Sequence, residues 1–152
     1  MLKNNIKSLI IHLFISFICL LIFDIQEELI GYRVNMLGYN EKSYYSLRLI
    51  LCLIIFIFVI FLYYMLSKLY LEKFSTKKNI LSVLLVAIIG AILWLASYKL
   101  HPQSSSFLKL YYQFYNAYSL PIFSINNSYL AGIFSIIPSF VMCIGIQSKR
   151  RR

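Results

Sequence analysis

The histidines and cysteines of this 152-residue sequence are its candidates for a nucleophile paired with a base: His12, His101, Cys19, Cys52 and Cys143. A cysteine and a histidine within hydrogen-bond reach would form a nucleophile and its base. The apolar runs described below place His12 and His101 on opposite sides of a hydrocarbon core about 30 Å thick, so they cannot share a site. They also place Cys143 in the opposite half of that core from Cys19 and Cys52. The sequence therefore predicts no catalytic pair and no enzyme.

Metal and cofactor sites are not predicted either. The cysteines and histidines lack the spacing of zinc ligands, and no glycine-rich phosphate loop occurs. Asp24, Glu27 and Glu28 share one face of a predicted helix and could hold a cation. The simpler interpretation is solvated charge paired with nearby basic residues. Because Asp24 closes one apolar run and Arg48 opens the next, we predict that these two residues are neighbours.

The composition indicates an integral membrane protein. Hydrophobic residues make up 61% of the chain and charged residues 13%, with a mean hydropathy of +0.76. Soluble domains carry about 25% charged residues, so this chain cannot cover a water-exposed surface. The net charge of +10 does not indicate nucleic-acid binding, because the basic residues flank apolar runs instead of forming one face. The abundance of Ile, Phe, Tyr, Lys and Asn is typical of AT-rich bacterial genomes.

Four apolar runs are candidates for transmembrane helices. A span needs about 20 apolar residues, and its backbone must bond internally, which favours helix. We predict an all-α, antiparallel four-helix transmembrane bundle that forms a single domain over 1–152, with spans at 8–23, 49–67, 79–98 and 128–147. The first run lacks a small-residue cleavage pattern and is interpreted as a retained anchor. Pro138 should kink the fourth span.

The distribution of basic residues predicts the orientation. Lysine and arginine accumulate on the cytoplasmic side of membrane proteins. One side of the predicted bundle would carry Lys3, Lys7, Lys68, Lys73, Lys77, Lys78, Lys149, Arg150, Arg151 and Arg152, and the other Arg33, Lys42, Arg48, Lys99 and Lys109. We therefore expect both termini to be cytoplasmic, in a multi-pass protein of the bacterial cytoplasmic membrane.

The segment between the third and fourth apolar runs has the pattern of an amphipathic helix at about 105–119. Phe107, Leu110, Tyr111, Phe114 and Tyr118 recur at steps of three and four residues. Lys109, Gln113 and Asn116 fall on the opposite face. We predict an extracytoplasmic interfacial helix and take Phe107, Tyr111, Phe114 and Tyr118 as a candidate partner surface. A partly re-entrant segment is the alternative, because no charge occurs between Lys109 and Lys149.

Two regular patterns lie inside the spans. The first span carries a polar stripe, Ser8, His12, Ser16 and Cys19, and the fourth carries a ridge of small residues, Ala131, Ser135, Ser139 and Cys143. Small residues let membrane helices approach closely, so we expect the first, third and fourth spans to pack together, with the second facing lipid. His12 is interpreted as a structural residue that bonds across helices, with a proton relay as the alternative.

The predicted function follows from the lack of charged residues in the spans, the lack of a catalytic pair, and the aromatic face of the amphipathic helix. None of the four spans contains Asp, Glu, Lys or Arg, which ion-coupled transporters generally need. We predict a non-enzymatic accessory, regulatory or immunity-type protein that contacts the lipid bilayer and another membrane protein. The alternative is a self-associating channel, holin-like pore or small transporter, in which the stripe and the ridge line a path. No cofactor and no nucleic-acid partner is expected.

Overall fold

The computed structural model of the chain describes residues 1–37, 41–100, 106–122 and 128–149, and within these ranges it is all-helical, with no strand. The α-helices are α1 (Leu2–Leu37), α2 (Glu41–Tyr70), α3 (Thr76–Leu81), α4 (Leu84–Trp94), α5 (Ser106–Tyr115), α6 (Ser128–Phe134) and α7 (Ile137–Gln147). A π-helical turn, Leu95–Leu100, continues α4, and a 3₁₀ helix, Ala117–Ile122, follows α5.

Three helical stretches in the described residues are long and apolar enough to cross a membrane: Leu2–Gln26, Leu49–Tyr70 and Tyr129–Gln147. They support the predicted membrane protein. The predicted third span is shorter than expected, because a turn at Ser82 and Val83 separates α3 from α4. The apolar helix there covers Leu84–Tyr98, about 22 Å at 1.5 Å per residue.

Helices α1 and α2 run side by side in opposite directions. Hydrogen bonds join them along their length: Lys7 Nζ to the Tyr70 carbonyl (3.2 Å), His12 Nδ1 with Tyr63 Oη (2.8 Å), and Gln26 Nε2 to Cys52 Sγ (3.8 Å). Just past the end of α2, the Glu72 carbonyl accepts from Asn4 Nδ2 (2.8 Å). The residue numbers rise along α1 as they fall along α2, which fixes the antiparallel register. Cys52 therefore lies level with Gln26, and no disulfide joins it to Cys19.

The second apolar helix takes part in the core as well as facing outward. In α2 only 17% of the most apolar stretch is buried, against 50% in Tyr129–Gln147, in line with the predicted lipid exposure. Its inner face, however, is packed against α7, where Gly145 lies against the Ser67 side chain and the Tyr64 carbonyl. The second span is therefore exposed on one face, as expected, and its other face contributes to the core, which the sequence pattern did not indicate. A glycine on α7 removes the side chain that would keep α2 away.

Two helical runs are interrupted by a turn: α3 and α4 at Ser82 and Val83, and α6 and α7 at Ser135 and Ile136. Pro138 is the second residue of α7. Proline has no N–H and cannot bond to the carbonyl four residues before it, here that of Phe134. The predicted kink is thus confirmed. Across the interface, Ser139 Oγ donates to the carbonyl of Val83, which lies at the other break (2.9 Å).

Lysine side chains close the helix ends on the basic side of the molecule. Lys7 Nζ donates to the Tyr70 carbonyl at the end of α2 (3.2 Å), and Lys149 Nζ donates to carbonyls beside it. Lys73 Nζ donates to the Gln147 carbonyl at the end of α7 (2.8 Å). The last carbonyls of a helix lack intrahelical partners and carry partial negative charge, so ammonium groups are favourable there.

Replacing Gly145 by alanine is expected to destabilise the protein by about 1–3 kcal/mol, because the new methyl overlaps fixed backbone. An ideal Cβ at residue 145 would lie 2.6 Å from the Tyr64 carbonyl oxygen. The measurement is the midpoint of unfolding when SDS is titrated into mixed micelles.

The matched control is Gly132→Ala, which gains the same helix propensity. Its Cβ would meet the Trp94 ring at 3.0 Å, and a side chain can move aside. We expect less than half the loss seen for Gly145→Ala. Equal losses at the two sites would mean that the α2–α7 contact is looser than described.

Candidate functional site

The segment that follows α4 enters the interior of the helix assembly. Tyr112 is buried, and so is every residue from Tyr115 to Ser119. The predicted amphipathic helix at 105–119 ends at Tyr115 and continues as the 3₁₀ helix. Asn116, placed by the sequence pattern on the polar outer face, has no exposed surface. The inner face of this segment is therefore the one that carries Tyr112 and Tyr115.

Tyrosine hydroxyls fix this segment to the backbone of the surrounding helices. Tyr112 Oη donates to the Ala131 carbonyl (2.5 Å), Tyr115 Oη to the Val86 carbonyl (2.9 Å), and Tyr118 Oη to the Phe134 carbonyl. The Phe134 carbonyl is the group that Pro138 leaves without an intrahelical donor. Each bond thus joins the inserted segment to α4 or to α6.

The polar stripe of α1 meets the inserted segment and α2. Ser8, His12, Ser16 and Cys19 are all buried, with at most 1% of each residue exposed. Ser16 Oγ donates to the Tyr115 carbonyl (2.6 Å), and Ser8 Oγ donates within its own helix. These positions give the stripe a role in holding helices together.

His12 lies between two tyrosines. Its Nδ1 is 2.8 Å from Tyr63 Oη, and its ring centroid is 4.2 Å from that of Tyr115. Its Nε2 and the Oδ1 of Asn116 are buried without a hydrogen-bond partner among the described residues. One bond across helices is the arrangement predicted for a structural histidine.

Two members of the ridge of small residues, Ser135 and Ser139, lie against Gly90 of α4 and Val83 just before it. Ala131, Ser135, Ser139 and Cys143 are all buried. An ideal Cβ on Gly90 of α4 would lie 3.0 Å from Ser135 Cβ, so the two backbones approach closely at this point. Ser135 Oγ donates back to the Ala131 carbonyl (3.2 Å). The hydroxyls on the ridge are thus occupied by backbone carbonyls inside one chain.

The predicted partner surface is divided between outside and inside. Tyr111 and Phe114 are 51% and 48% exposed, and their neighbour Leu110 is 59% exposed. Tyr118 is fully buried and does not belong to a surface, because the chain leaves the α-helical period after Tyr115 and turns its ring inward. The side chain of Phe107 lies outside the described residues. The outward face of α5 therefore consists of Leu110, Tyr111 and Phe114.

Asp24, Glu27 and Glu28, which the sequence pattern offered as a cation site, all lie in α1, and the side chain of Glu27 lies outside the described residues. Asp24 and Glu28 are exposed. No three His, Cys, Asp or Glu side chains converge among the described residues. The predicted neighbour of Asp24, Arg48, has its side chain outside the described residues, as does His101.

Sequence patterns did not identify the tyrosines that form the buried hydrogen bonds between helices. Tyr63, Tyr112 and Tyr115 were not among the predicted site residues, although Tyr112 and Tyr115 are three apart on a second face of α5. Both faces of this helix carry aromatic residues, so periodicity alone could not decide which face is buried.

No protein-family model, no curated protein and no solved structure matches this chain.

Replacing Tyr118 by phenylalanine is expected to destabilise the protein by about 1–2 kcal/mol, because the Phe134 carbonyl is left buried without its donor. The variant Pro138→Ala restores an N–H that can reach that carbonyl. In the Pro138→Ala background we expect the Tyr118→Phe change to cost less than half as much. The measurement is a double-mutant cycle of unfolding midpoints in SDS.

The control is Tyr70→Phe, which removes a hydroxyl from a residue that is 60% exposed. Its effect should be under about 0.5 kcal/mol, the usual range for surface substitutions. An equal cost of Tyr118→Phe with and without Pro138 would show that the proline does not create the need for this hydroxyl.

Proposed function

We propose that the chain is a multi-pass protein of a bacterial cytoplasmic membrane, folded as an antiparallel four-helix bundle with both termini cytoplasmic. In this arrangement α4 and its π-helical end form the third of four spans. Two contacts support it. The Leu85 N–H in the first turn of α4 donates to Asn5 Oδ1 (3.2 Å) at the basic end, and Trp94 at the end of α4 lies against Gly132. These contacts support an α4 that runs from the level of Asn5 in α1 to the level of Gly132 in α6.

The topology can be tested with single cysteines introduced at Glu28, Ser75, Ser104 and Ser148 of a chain whose own cysteines are replaced by alanine. A membrane-impermeant maleimide should label residues 28 and 104 on intact spheroplasts. It should label residues 75 and 148 only after permeabilisation. If residue 104 is labelled from the same side as residue 75, α4 does not cross and the four-span bundle is wrong.

For the function itself we propose a non-enzymatic accessory, regulatory or immunity-type role through contact with another membrane protein. The observation that carries it is the two-sided nature of α5. Tyr112 and Tyr115 hold its inner face by hydrogen bonds, while Leu110, Tyr111 and Phe114 project outward. A rigid helix that presents large apolar and aromatic side chains suits a binding surface, because little conformational entropy is lost on contact.

The interior contacts argue against the alternative of a channel or transporter. That alternative needs the polar stripe of α1 and the ridge of α6 and α7 to line a path. Ser16, Ser135 and Ser139 instead donate to backbone carbonyls of the same chain. Opening a path along them would require the helices to separate and these hydroxyls to exchange their carbonyl acceptors for water.

The double variant Tyr111→Ala/Phe114→Ala is expected to lower recovery of a co-purifying membrane protein by tenfold or more, since truncated aromatic anchors commonly cost 2 kcal/mol or more. The tagged chain is purified from its native membranes in mild detergent after brief crosslinking. The ratio of partner to tagged chain is then measured.

The control is Ile57→Ala/Phe58→Ala on α2, whose side chains are 67% and 51% exposed. It removes similar apolar surface from another helix and should leave recovery unchanged. Equal recovery with both double variants would refute the α5 surface. Recovery of only a second copy of the chain would refute the accessory role and favour self-association.

A further inference from the structure

A groove lies between α1 and α2 near their basic ends. Its volume is about 330 Å³, within the range of roughly 300–1,000 Å³ common for small-molecule sites. It is lined by Lys7, Ile10, Ile11, Phe14, Leu66 and Tyr70. The four α1 positions follow steps of three, one and three residues, so they form a single helical face. The groove is thus a built feature of the α1–α2 contact.

The lining is apolar along its length and basic at one end. Ile10 and Phe14 are 60% and 57% exposed, so their side chains border the groove and the surrounding medium. Lys7, one turn closer to the basic end, uses one of its three N–H donors on the Tyr70 carbonyl (3.2 Å). Lys3 precedes it by four residues on the same face and is exposed.

We propose that this groove binds an anionic phospholipid. One acyl chain lies against Ile10, Phe14 and Leu66, and the phosphate is held by the ammonium groups of Lys7 and Lys3. Charge favours an anionic headgroup, because this end of the described chain also carries Lys68, Lys73, Lys77 and Lys78 against the single acid Glu72. Basic grooves between membrane helices are suited to such headgroups. The proposal requires only that α1 and α2 cross the membrane and is independent of the α5 surface.

The test uses the full chain in detergent with phosphatidylglycerol and phosphatidylcholine that have identical acyl chains. Bound lipid is counted by native mass spectrometry. Phosphatidylglycerol should bind at least fivefold more tightly. Lys7→Gln should weaken its binding about fivefold, the equivalent of about 1 kcal/mol per basic residue, and leave phosphatidylcholine unchanged. Lys3→Gln, at an exposed position, should act in the same direction.

The control is Lys77→Gln, which removes the same charge from exposed α3 away from the groove lining. If it weakens phosphatidylglycerol binding as much as Lys7→Gln, the attraction is diffuse and the proposal is wrong. Unfolding midpoints in SDS verify that each variant is folded.

A second pair of measurements separates the groove from the headgroup. Ile10→Trp fills the apolar part of the groove and should lower binding of both lipids at least fivefold. Unchanged binding would show that the acyl chain does not lie in the groove. Soluble glycerophosphoglycerol, added at the same concentration as the lipid, should not displace it. Displacement would identify a free-phosphate site in place of a lipid site.

Discussion

The rest of this structure depends on one constraint: the buried carbonyl of Phe134 needs a hydrogen-bond donor from outside its own helix, and Tyr118 supplies it. Pro138 deprives that carbonyl of its helical donor, and apolar surroundings offer no water to replace it. The donor must come from another segment of the chain. The 3₁₀ helix at Ala117–Ile122 brings it, and its own polar groups must then be satisfied as well. The break between α6 and α7 is thus stabilised by an inserted segment whose side chains donate hydrogen bonds to backbone carbonyls of α6.

The small residues make room for this insertion. Gly90 lets α4 approach Ser135, and Gly145 lets α7 approach α2, so the helices close around a segment that itself contributes bulky tyrosines. The polar stripe of α1 then meets the segment from the other side, through Ser16 and the His12 ring. Stripe, ridge and tyrosines are parts of one network. Its cohesion comes from hydrogen bonds to backbone, because apolar side chains gain little by leaving lipid for one another.

The sequence allowed the membrane class to be predicted because composition and run length depend on local physics alone. Three of the four predicted runs are present as long apolar helices. The place where the third begins was missed, because the Ser82–Val83 turn is stabilised by contacts from Ser139 and Asn5, which are distant in sequence. The inner face of α5 was missed for a related reason. With tyrosines on both sides, only the carbonyls that receive their hydroxyls decide which side is buried.

The same contacts connect the interior to the outer surface. Tyr111 and Phe114 flank Tyr112 on a helix of ten residues, too short to be stable alone in water. Their direction is therefore set by the bonds that Tyr112 and Tyr115 make to Ala131 and Val86. A partner that contacts the outward face would bind a surface that already has its bound geometry. Removing the hydrogen bond of Tyr112 or Tyr115 would therefore weaken partner binding although neither residue contacts the partner. Helix α5 would then lose its conformational entropy on binding instead of on folding.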